Sequence, residues 1–550
     1  MIRIRLYGED YEQDVRPLIK SFYPDDEIRV MKTEEPGTKE EGSAFFHIPN
    51  EEMGKEEQEE KKEFLKHHPH QHVAEEDAVT GIVVLHLKKD GFKIGLCEFE
   101  PSSDSETAIK KSGLKDYDFG KDFENLKSDG EEAEEKAKRR IYRNELHRKL
   151  YELLAEVTGK TLPWGTLTGI RPTKQVLERL EIHQSEEEIR RYLKEEYYTS
   201  DEKIDVSLTV AKREKEILDE LDYKDGYSIY IGIPFCPSTC NYCSFTSFPL
   251  GRFDNMVEPY LEALEKEIEY AANAIPNKKL STIYFGGGTP TTLSAPQLER
   301  VLKSVHRHFD FTDMKELTVE AGRPDSITMD KLVVLKEQGV DRISINPQTM
   351  RQKTLDLIGR KHTVEQIEEA FYMAREAGHN NINMDLILGL SGENKEDVAY
   401  TLDRIRPLNP DSLTVHTLAI KRAARLNTNK EEFKAYKAQD VQGMMELTKQ
   451  YTKANDYHPY YLYRQKNMAE NLENVGYARI GKEGIYNILI MEEKQTILAL
   501  GAGASSKFVF HDENRIERVE NVKSLKDYIE RTDEMIARKV EFLRQYGHAL

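Results

Sequence analysis

The sequence predicts an α/β fold built as a βα crossover series that closes into a barrel or partial barrel, and three observations predict it. From Tyr227 onward come six short apolar runs rich in β-branched residues: YSIYIGIP, STIYFGG, ELTVEAG, DRISINPQ, NINMDLILGL and SLTVHTLAI. They have the length and composition of buried parallel strands. Helical stretches lie between them, EPYLEALEKEIEYAANAI, APQLERVLKSVHRHF, MDKLVVLKEQG, VEQIEEAFYMAREAG and KEDVAYTLDRI, and two of these stop at Gly339 and Gly378 as helix C-termini commonly do. Alternation of this kind over about 200 residues specifies parallel strands joined by crossovers, with functional groups gathered at strand C-termini.

The flanking segments read differently. Residues 1–130 form a small α/β domain: IRIRLYG and VRPLIKSFYPDDEIRV give strand, helix, strand, and GIVVLHL with FKIGLCEFE gives a second strand pair. Between them residues 33–77, with runs such as EEMGKEEQEEKKE and few apolar anchors, read as a flexible acidic insertion. Its His67 to His72 run, HHPHQH, reads as solvated surface in preference to a metal site, because the ligands lack a scaffold. Residues 131–222 are a helical connecting region, with a long helix ending near Gly159. The segment LPWGTLTGIRPTK follows, carrying Trp164 and the turn Gly169-Ile170-Arg171-Pro172, and it is either a packing elbow or part of a binding surface. The crossover series occupies residues 223–430. Residues 431–550 are a further, mainly helical C-terminal domain, with a strand pair expected at IYNILIMEE and QTILALGAGAS.

Composition narrows the class of function. A chain of 550 residues with 38% hydrophobic and 33% charged residues is a multidomain globular protein, and no run approaches the roughly 20 apolar residues of a membrane helix. The N-terminus MIRIRLYGEDYEQDV has no apolar signal core, so a cytoplasmic location is expected. A net charge of −19 disfavours nucleic acid as a partner, although a local basic patch is compatible with that total. Four cysteines are too few for a disulfide scaffold, and three of them, Cys236, Cys240 and Cys243, fall within eight residues, which points to a reducing compartment.

Those three cysteines carry the central signal. Cys236-Pro-Ser-Thr-Cys240-Asn-Tyr-Cys243 sets three thiolates on one tight loop directly after a strand. A four-iron cluster held by three protein sulfurs leaves one iron open to another ligand. Zinc would need a fourth ligand and usually a second CxxC-like knuckle, which the sequence lacks. Further along, Gly286-Gly287-Gly288-Thr289-Pro290 ends the strand STIYF, and its lack of side chains lets backbone approach a ligand closely. It is not a P-loop, since no Gly-Lys-Ser/Thr follows.

The CxxxCxxC spacing with an aromatic before the last cysteine resembles the radical S-adenosylmethionine (SAM) superfamily. The wider text YIGIPFCPSTCNYCSF, with the preceding TLPWGTLTGIRPTK, resembles the HemZ-type branch of the oxygen-independent coproporphyrinogen III oxidase (dehydrogenase) family over about residues 226–510. The resemblance implies a partial (β/α)6 barrel core. It implies a 4Fe-4S cluster on Cys236, Cys240 and Cys243, and SAM contacts from Tyr230, Tyr242, Gly286, Gly287, Gly288, Thr289, Glu320, Gln348, Arg360 and Asp385. Two positions depart from the family pattern. Gly232 stands where a histidine usually precedes the Ile-Pro-Phe-Cys step, and Phe245 where some oxidases carry a fourth cysteine. The His-Asn and Tyr-Trp signature of the heme-chaperone relatives is also absent, its nearest text being Tyr486-Asn487-Ile488.

The implied reaction is oxidative decarboxylation of coproporphyrinogen III to protoporphyrinogen IX through a 5'-deoxyadenosyl radical, with electrons from a flavodoxin or ferredoxin. Propionates are anions, so guanidinium partners are expected, and Arg422, Arg425 and Arg464 are the candidates against the alternative of ordinary surface charge. A radical SAM reaction on another substrate such as RNA, or a heme-binding protein that retains the cluster, are the competing readings.

Overall fold

The computed structural model describes residues 1–24, 26–33, 80–89, 91–100, 108–119, 123, 131–243, 245–419, 440–465 and 472–547. The acidic insertion beyond Thr33, its His67–His72 run, and Arg422 and Arg425 lie outside the described residues. The chain divides into two compact units, one of residues 1–168 with 186–204, the other of residues 169–185 with 205–550.

The first unit holds a five-stranded sheet in the order β2-β1-β3-β4-β5, made of β1 (Ile2–Gly8), β2 (Ile28–Thr33), β3 (Gly81–Lys88), β4 (Gly91–Glu100) and β5 (Ala108–Asp118). The strand–helix–strand and the later strand pair expected from the sequence are both present. Alternation in IRIRLYG puts Ile2, Ile4 and Leu6 in the core. Helix Glu12–Phe22 supplies Val15, Leu18, Ile19 and Phe22 to the same cluster, and helix Glu131–Thr158 supplies Leu146, Leu150, Leu153 and Leu154. Each such side chain is worth roughly 1.5–3 kcal/mol of burial. The long helix stops where Gly159 takes a left-handed conformation, φ +70°. Trp164 is fully buried in this unit, with Lys203 Nζ 5.9 Å from its ring centre.

The second unit is organised on an eleven-stranded sheet. Its strands are β6 (Gly226–Ile233), β7 (Lys279–Gly287), β8 (Glu316–Gly322), β9 (Arg342–Ile345), β10 (Ile382–Leu388), β11 (Ser412–Thr417), β12 (His458–Tyr463), β13 (Asn474–Ala478), β14 (Thr496–Leu500), β15 (Ser505–Phe510) and β16 (Arg515–Glu520). Strands β6 to β11 lie side by side in sequence order and parallel, each joined to the next through helix, which is the expected crossover series. Residues after 440 extend the sheet at both edges. β13 pairs antiparallel with β11 and β12 with β13, while β14 joins β6 in parallel and leads through a hairpin to β15 and β16.

The sheet has two chemically distinct faces. Register sets Ser228 beside Thr282, Tyr230 beside Tyr284 and Gly232 beside Gly286. It sets Glu320 beside Ser344, Asn383 beside Ser412 and Asp385 beside Thr414. The opposite face carries Ile229, Ile231, Ile283, Phe285, Val319, Ile343, Leu386 and Val415, all buried. One face therefore packs on the crossover helices, while the other lines a polar interior.

Hydrogen bonds close the floor of that interior. Ser228 donates to Gln495 (2.6 Å) and accepts from Thr282 (2.8 Å), while Arg342 donates to Ser412 (3.2 Å) and Ser412 to Asn383 (3.1 Å).

One expected element is corrected. IYNILIME, read as a strand, is a helix over Ile485–Glu492. The Glu316 carboxylate accepts from the Ile485 and Tyr486 amides at 2.7 and 3.2 Å, satisfying the free N–H groups at the helix start, and Glu493 ends it in a left-handed conformation. A short, mostly apolar run of eight residues, broken only by Asn487 and ending at Glu492, carries no period that separates strand from buried helix. Among the described residues no helix is long and apolar enough to cross a membrane.

Candidate active site

The cysteine loop leaves the C-terminal end of β6. Phe235–Cys236 pairs in parallel with Phe248–Pro249, so the loop is closed at its base. Asn241 ties it to the next layer, donating from its backbone to Ile358 and from Nδ2 to Leu357, both at 3.0 Å. The Cys243 amide donates back to Cys240 at 3.2 Å. Cys236 and Cys240 are buried and Cys243 is half-buried.

Two side chains meet the sulfurs. Thr289 Oγ1 lies 3.5 Å from Cys236 Sγ as a donor, and Arg323 Nη1 lies 3.6 Å from Cys240 Sγ. Burial pushes the Cys236 thiol up to about 11, with Thr289 pulling against it, so a thiolate at this position needs a bound metal to hold it.

The implied four-iron cluster fits this loop by donor chemistry: three sulfurs on one pinned turn, flanked by a hydroxyl and a guanidinium that donate toward sulfur. Among the described residues no three His, Cys, Asp or Glu side chains converge on one point as the ligands of a single ion would. Each thiolate of a cubane cluster binds its own iron, so the cluster does not demand such convergence.

The glycine run presses on this loop. The Gly288 amide donates to Ile233 (2.8 Å) and the Thr289 amide to Phe235 (2.7 Å). A Cβ on Gly288 would lie 2.5 Å from the Phe235 carbonyl oxygen, so no side chain fits. Gly287, at φ +102°, lies under Tyr230, whose hydroxyl would be 3.1 Å from a Cβ there.

The remaining expected residues lie around the polar face. Glu320 accepts a short hydrogen bond from the Tyr284 hydroxyl, and its Oε1 would be 3.3 Å from a Cβ on Gly286. Burial pushes the Glu320 carboxyl up to about 7, with the Tyr284 hydroxyl working against that shift. Arg360, almost fully buried, donates from Nη1 to Asn346 O (2.6 Å) and from Nε and Nη2 to the Tyr242 hydroxyl (3.2 and 3.1 Å). Gln348 is left-handed, φ +67°, and bridges to β10: its amide donates to Asp385 O (2.9 Å) and its carbonyl accepts from Ile387 (3.0 Å). Asp385 accepts from Asn383 Nδ2 at 2.7 Å, with His416 Nε2 at 4.0 Å.

The structure thus pairs Tyr242 with Arg360, Glu320 with Gly286, Tyr230 with Gly287, Thr289 with Cys236, and Gln348 with Asp385. Arg464 is buried, and its amide donates to Ile170 of the Gly169-Pro172 turn at 2.7 Å. In the same turn Arg171 pairs with Glu493 at 2.6 Å.

Sequence reading missed several residues of this face. Tyr284 and Tyr486 stack at 4.4 Å between ring centres, with Tyr230 beyond them at 6.3 and 6.5 Å. His416, hydrogen-bonded to the Tyr463 hydroxyl (3.3 Å), also faces the interior, and Arg323 faces the cysteine loop. The signal for the strand residues was the period-2 polar alternation in β6, β7 and β11, hidden inside runs that read as continuously apolar.

The profile of the Radical SAM superfamily matches residues 230–405. The oxygen-independent coproporphyrinogen-III oxidase-like protein HemZ of Bacillus subtilis (strain 168) is 45% identical over 397 residues, covering 72% of this chain and 79% of that protein. The heme chaperone HemW of the same organism is 31% identical over 313 residues, 55% of this chain and 75% of that one. Among solved structures, coproporphyrinogen III oxidase (HemN) from Escherichia coli, described as a radical SAM enzyme, aligns at 25% identity with a TM-score of 0.45, over 56% of this chain and 70% of that one.

Proposed function

The chain belongs to the family of oxygen-independent coproporphyrinogen-III oxidase-like proteins in the radical SAM superfamily, and from that membership we propose that it oxidatively decarboxylates coproporphyrinogen III. The observation that carries the proposal is the pinned three-cysteine loop at the end of β6, adjoining a strand face lined by Tyr230, Tyr284, Glu320, Asp385 and His416.

When bound to this loop, the cluster and SAM would supply a radical able to take a hydrogen atom from a propionate carbon, and release of CO2 would leave a vinyl group once one electron passes to an external one-electron acceptor. The chain's own residues bind and orient. Cys236, Cys240 and Cys243 would each hold one iron of the cluster, leaving the fourth without a protein thiolate. Glu320, whose carboxylate lies against Gly286, would attract the cationic end of SAM, and Arg360 braces the cysteine loop through the Tyr242 hydroxyl. The aromatic stack of Tyr284 and Tyr486 excludes water from the floor. The anionic propionates are assigned to guanidinium groups among Arg422, Arg425 and Arg464, and a flavodoxin or ferredoxin is assigned as the donor that reduces the cluster.

The test is anaerobic incubation of the reconstituted full chain with coproporphyrinogen III, SAM and a low-potential reductant, with products read by mass spectrometry. The proposal expects loss of two CO2 per tetrapyrrole with 5'-deoxyadenosine formed in step. Stoichiometric tetrapyrrole binding without 5'-deoxyadenosine would instead favour a carrier, as the similarity to a heme chaperone suggests.

A further inference from the structure

Arg323 opens the turn that follows β8 and is almost fully buried. Its guanidinium is fixed on two sides. Nε and Nη2 form a bidentate pair with Asp325 at 2.9 and 2.7 Å, while Nη1 donates to Ser238 O and Oγ, both at 3.0 Å, and toward Cys240 Sγ at 3.6 Å. Asp325 is in turn faced by the buried His362, whose Nδ1 lies 3.7 Å from Oδ1. The Arg360 guanidinium acts on the same group of charges. Short bonds from Ser326 to the Arg323 carbonyl, 2.9 Å from its amide and 2.7 Å from Oγ, hold the turn itself. The result is a chain of side chains, His362 to Asp325 to Arg323 to Cys240, that ends on the middle sulfur of the motif.

We propose that Arg323 is a positioning residue that sets the electron affinity of the cluster through Cys240, by a fixed positive charge and an N–H donated to sulfur, with Asp325 as the counter-charge that limits the effect. This rests on the reading of Cys236, Cys240 and Cys243 as cluster ligands. Reduction adds negative charge to a cluster, and a donor or cation at a ligating sulfur stabilises the reduced form and raises the potential. Burial strengthens the effect, because the low local dielectric screens the guanidinium less than water would. Asp325 holds the fork in its plane and cancels part of its charge, so the two residues act with opposite sign.

The experiment is an anaerobic, EPR-monitored redox titration of the reconstituted full chain without substrate, on wild type, Arg323→Gln, Arg323→Lys and Asp325→Asn, each with iron content measured. Arg323→Gln is expected to lower the equilibrium constant for reduction about tenfold, about 59 mV more negative for one electron. Asp325→Asn is expected to shift the potential to more positive values, and Arg323→Lys to fall between wild type and Arg323→Gln. An unchanged or raised potential in Arg323→Gln overturns the proposal, as does a fall in Asp325→Asn. Should Arg323→Gln fail to hold iron, the sign of the Asp325→Asn shift decides. A wild-type chain that takes up no cluster removes the reading beneath the proposal, a result distinct from a cluster whose potential ignores Arg323.

Discussion

Arg360 and Tyr242 are joined by two hydrogen bonds, from Nε at 3.2 Å and Nη2 at 3.1 Å to one phenol oxygen, across 118 residues of sequence. Tyr242 lies within the cysteine loop and Arg360 follows the Ile358 and Leu357 carbonyls to which Asn241 is tied. The loop and the segment after β9 are thereby locked together by side chain and backbone at adjacent points.

Tyr242→Phe removes the shared acceptor and leaves two buried guanidinium donors unpaired, a cost of about 1–3 kcal/mol. SAM affinity is expected to fall roughly tenfold or more, since about 1.4 kcal/mol is tenfold. Iron content should be unchanged. Anaerobic equilibrium dialysis with parallel iron analysis checks both.

Glu320 gives a pH signature. Its native carboxyl holds a proton up to about 7, against an ordinary 4.5, because of burial. Between those values the folded chain binds more protons than the unfolded one, so this group's contribution to stability falls as pH rises across that window. A cationic ligand prefers the ionised carboxylate, so SAM affinity should rise over the same window. Both slopes should flatten in Glu320→Gln, and Tyr284→Phe should move them to higher pH by removing the bond that favours the carboxylate. Thermal melts and SAM binding measured from about pH 4.5 to 8 test this.

Gly288→Ala is expected to abolish cluster uptake. Its Cβ would meet backbone oxygens of Phe235 and Ile233 at 2.5 and 2.8 Å, so the strand end must move away from the cysteine loop. Iron content after reconstitution is the measurement, with circular dichroism reporting that the rest of the chain is folded.

A buried ion pair makes a stability prediction. Lys539 and Glu267 are both fully buried at 2.7 Å, and Glu267 also accepts from Asn521 (2.8 Å), the Gly501 amide (2.7 Å) and the Tyr528 hydroxyl (2.6 Å). Lys539→Met leaves that carboxylate without its cation and should cost about 3–5 kcal/mol. The double substitution Glu267→Gln with Lys539→Met should cost less than the two single changes summed. Denaturant titration of all four chains measures the coupling.

Much of the architecture was legible in the sequence because crossover helices and buried strands leave different periods, and Gly339 and Gly378 mark helix ends directly. The cysteine loop was legible for a related reason: three sulfurs within eight residues form a local pattern that needs no tertiary information. Ile485–Glu492 was misread because its helical form is set by the Glu316 carboxylate, 169 residues away from Ile485. Arg323 was invisible for the same reason. Nothing in EAGRPDS announces a partner at Cys240, and it is the strand order, with β7 alone between β6 and β8, that brings the end of β8 near the loop that follows β6.

The most direct test of the account is the metal and the chemistry at the three thiols. After anaerobic reconstitution the wild-type chain should carry about four irons and four sulfides, and should release 5'-deoxyadenosine from SAM on reduction, with both lost in Cys240→Ala. Zinc at these thiols, or a full iron complement and undiminished 5'-deoxyadenosine in Cys240→Ala, would contradict it.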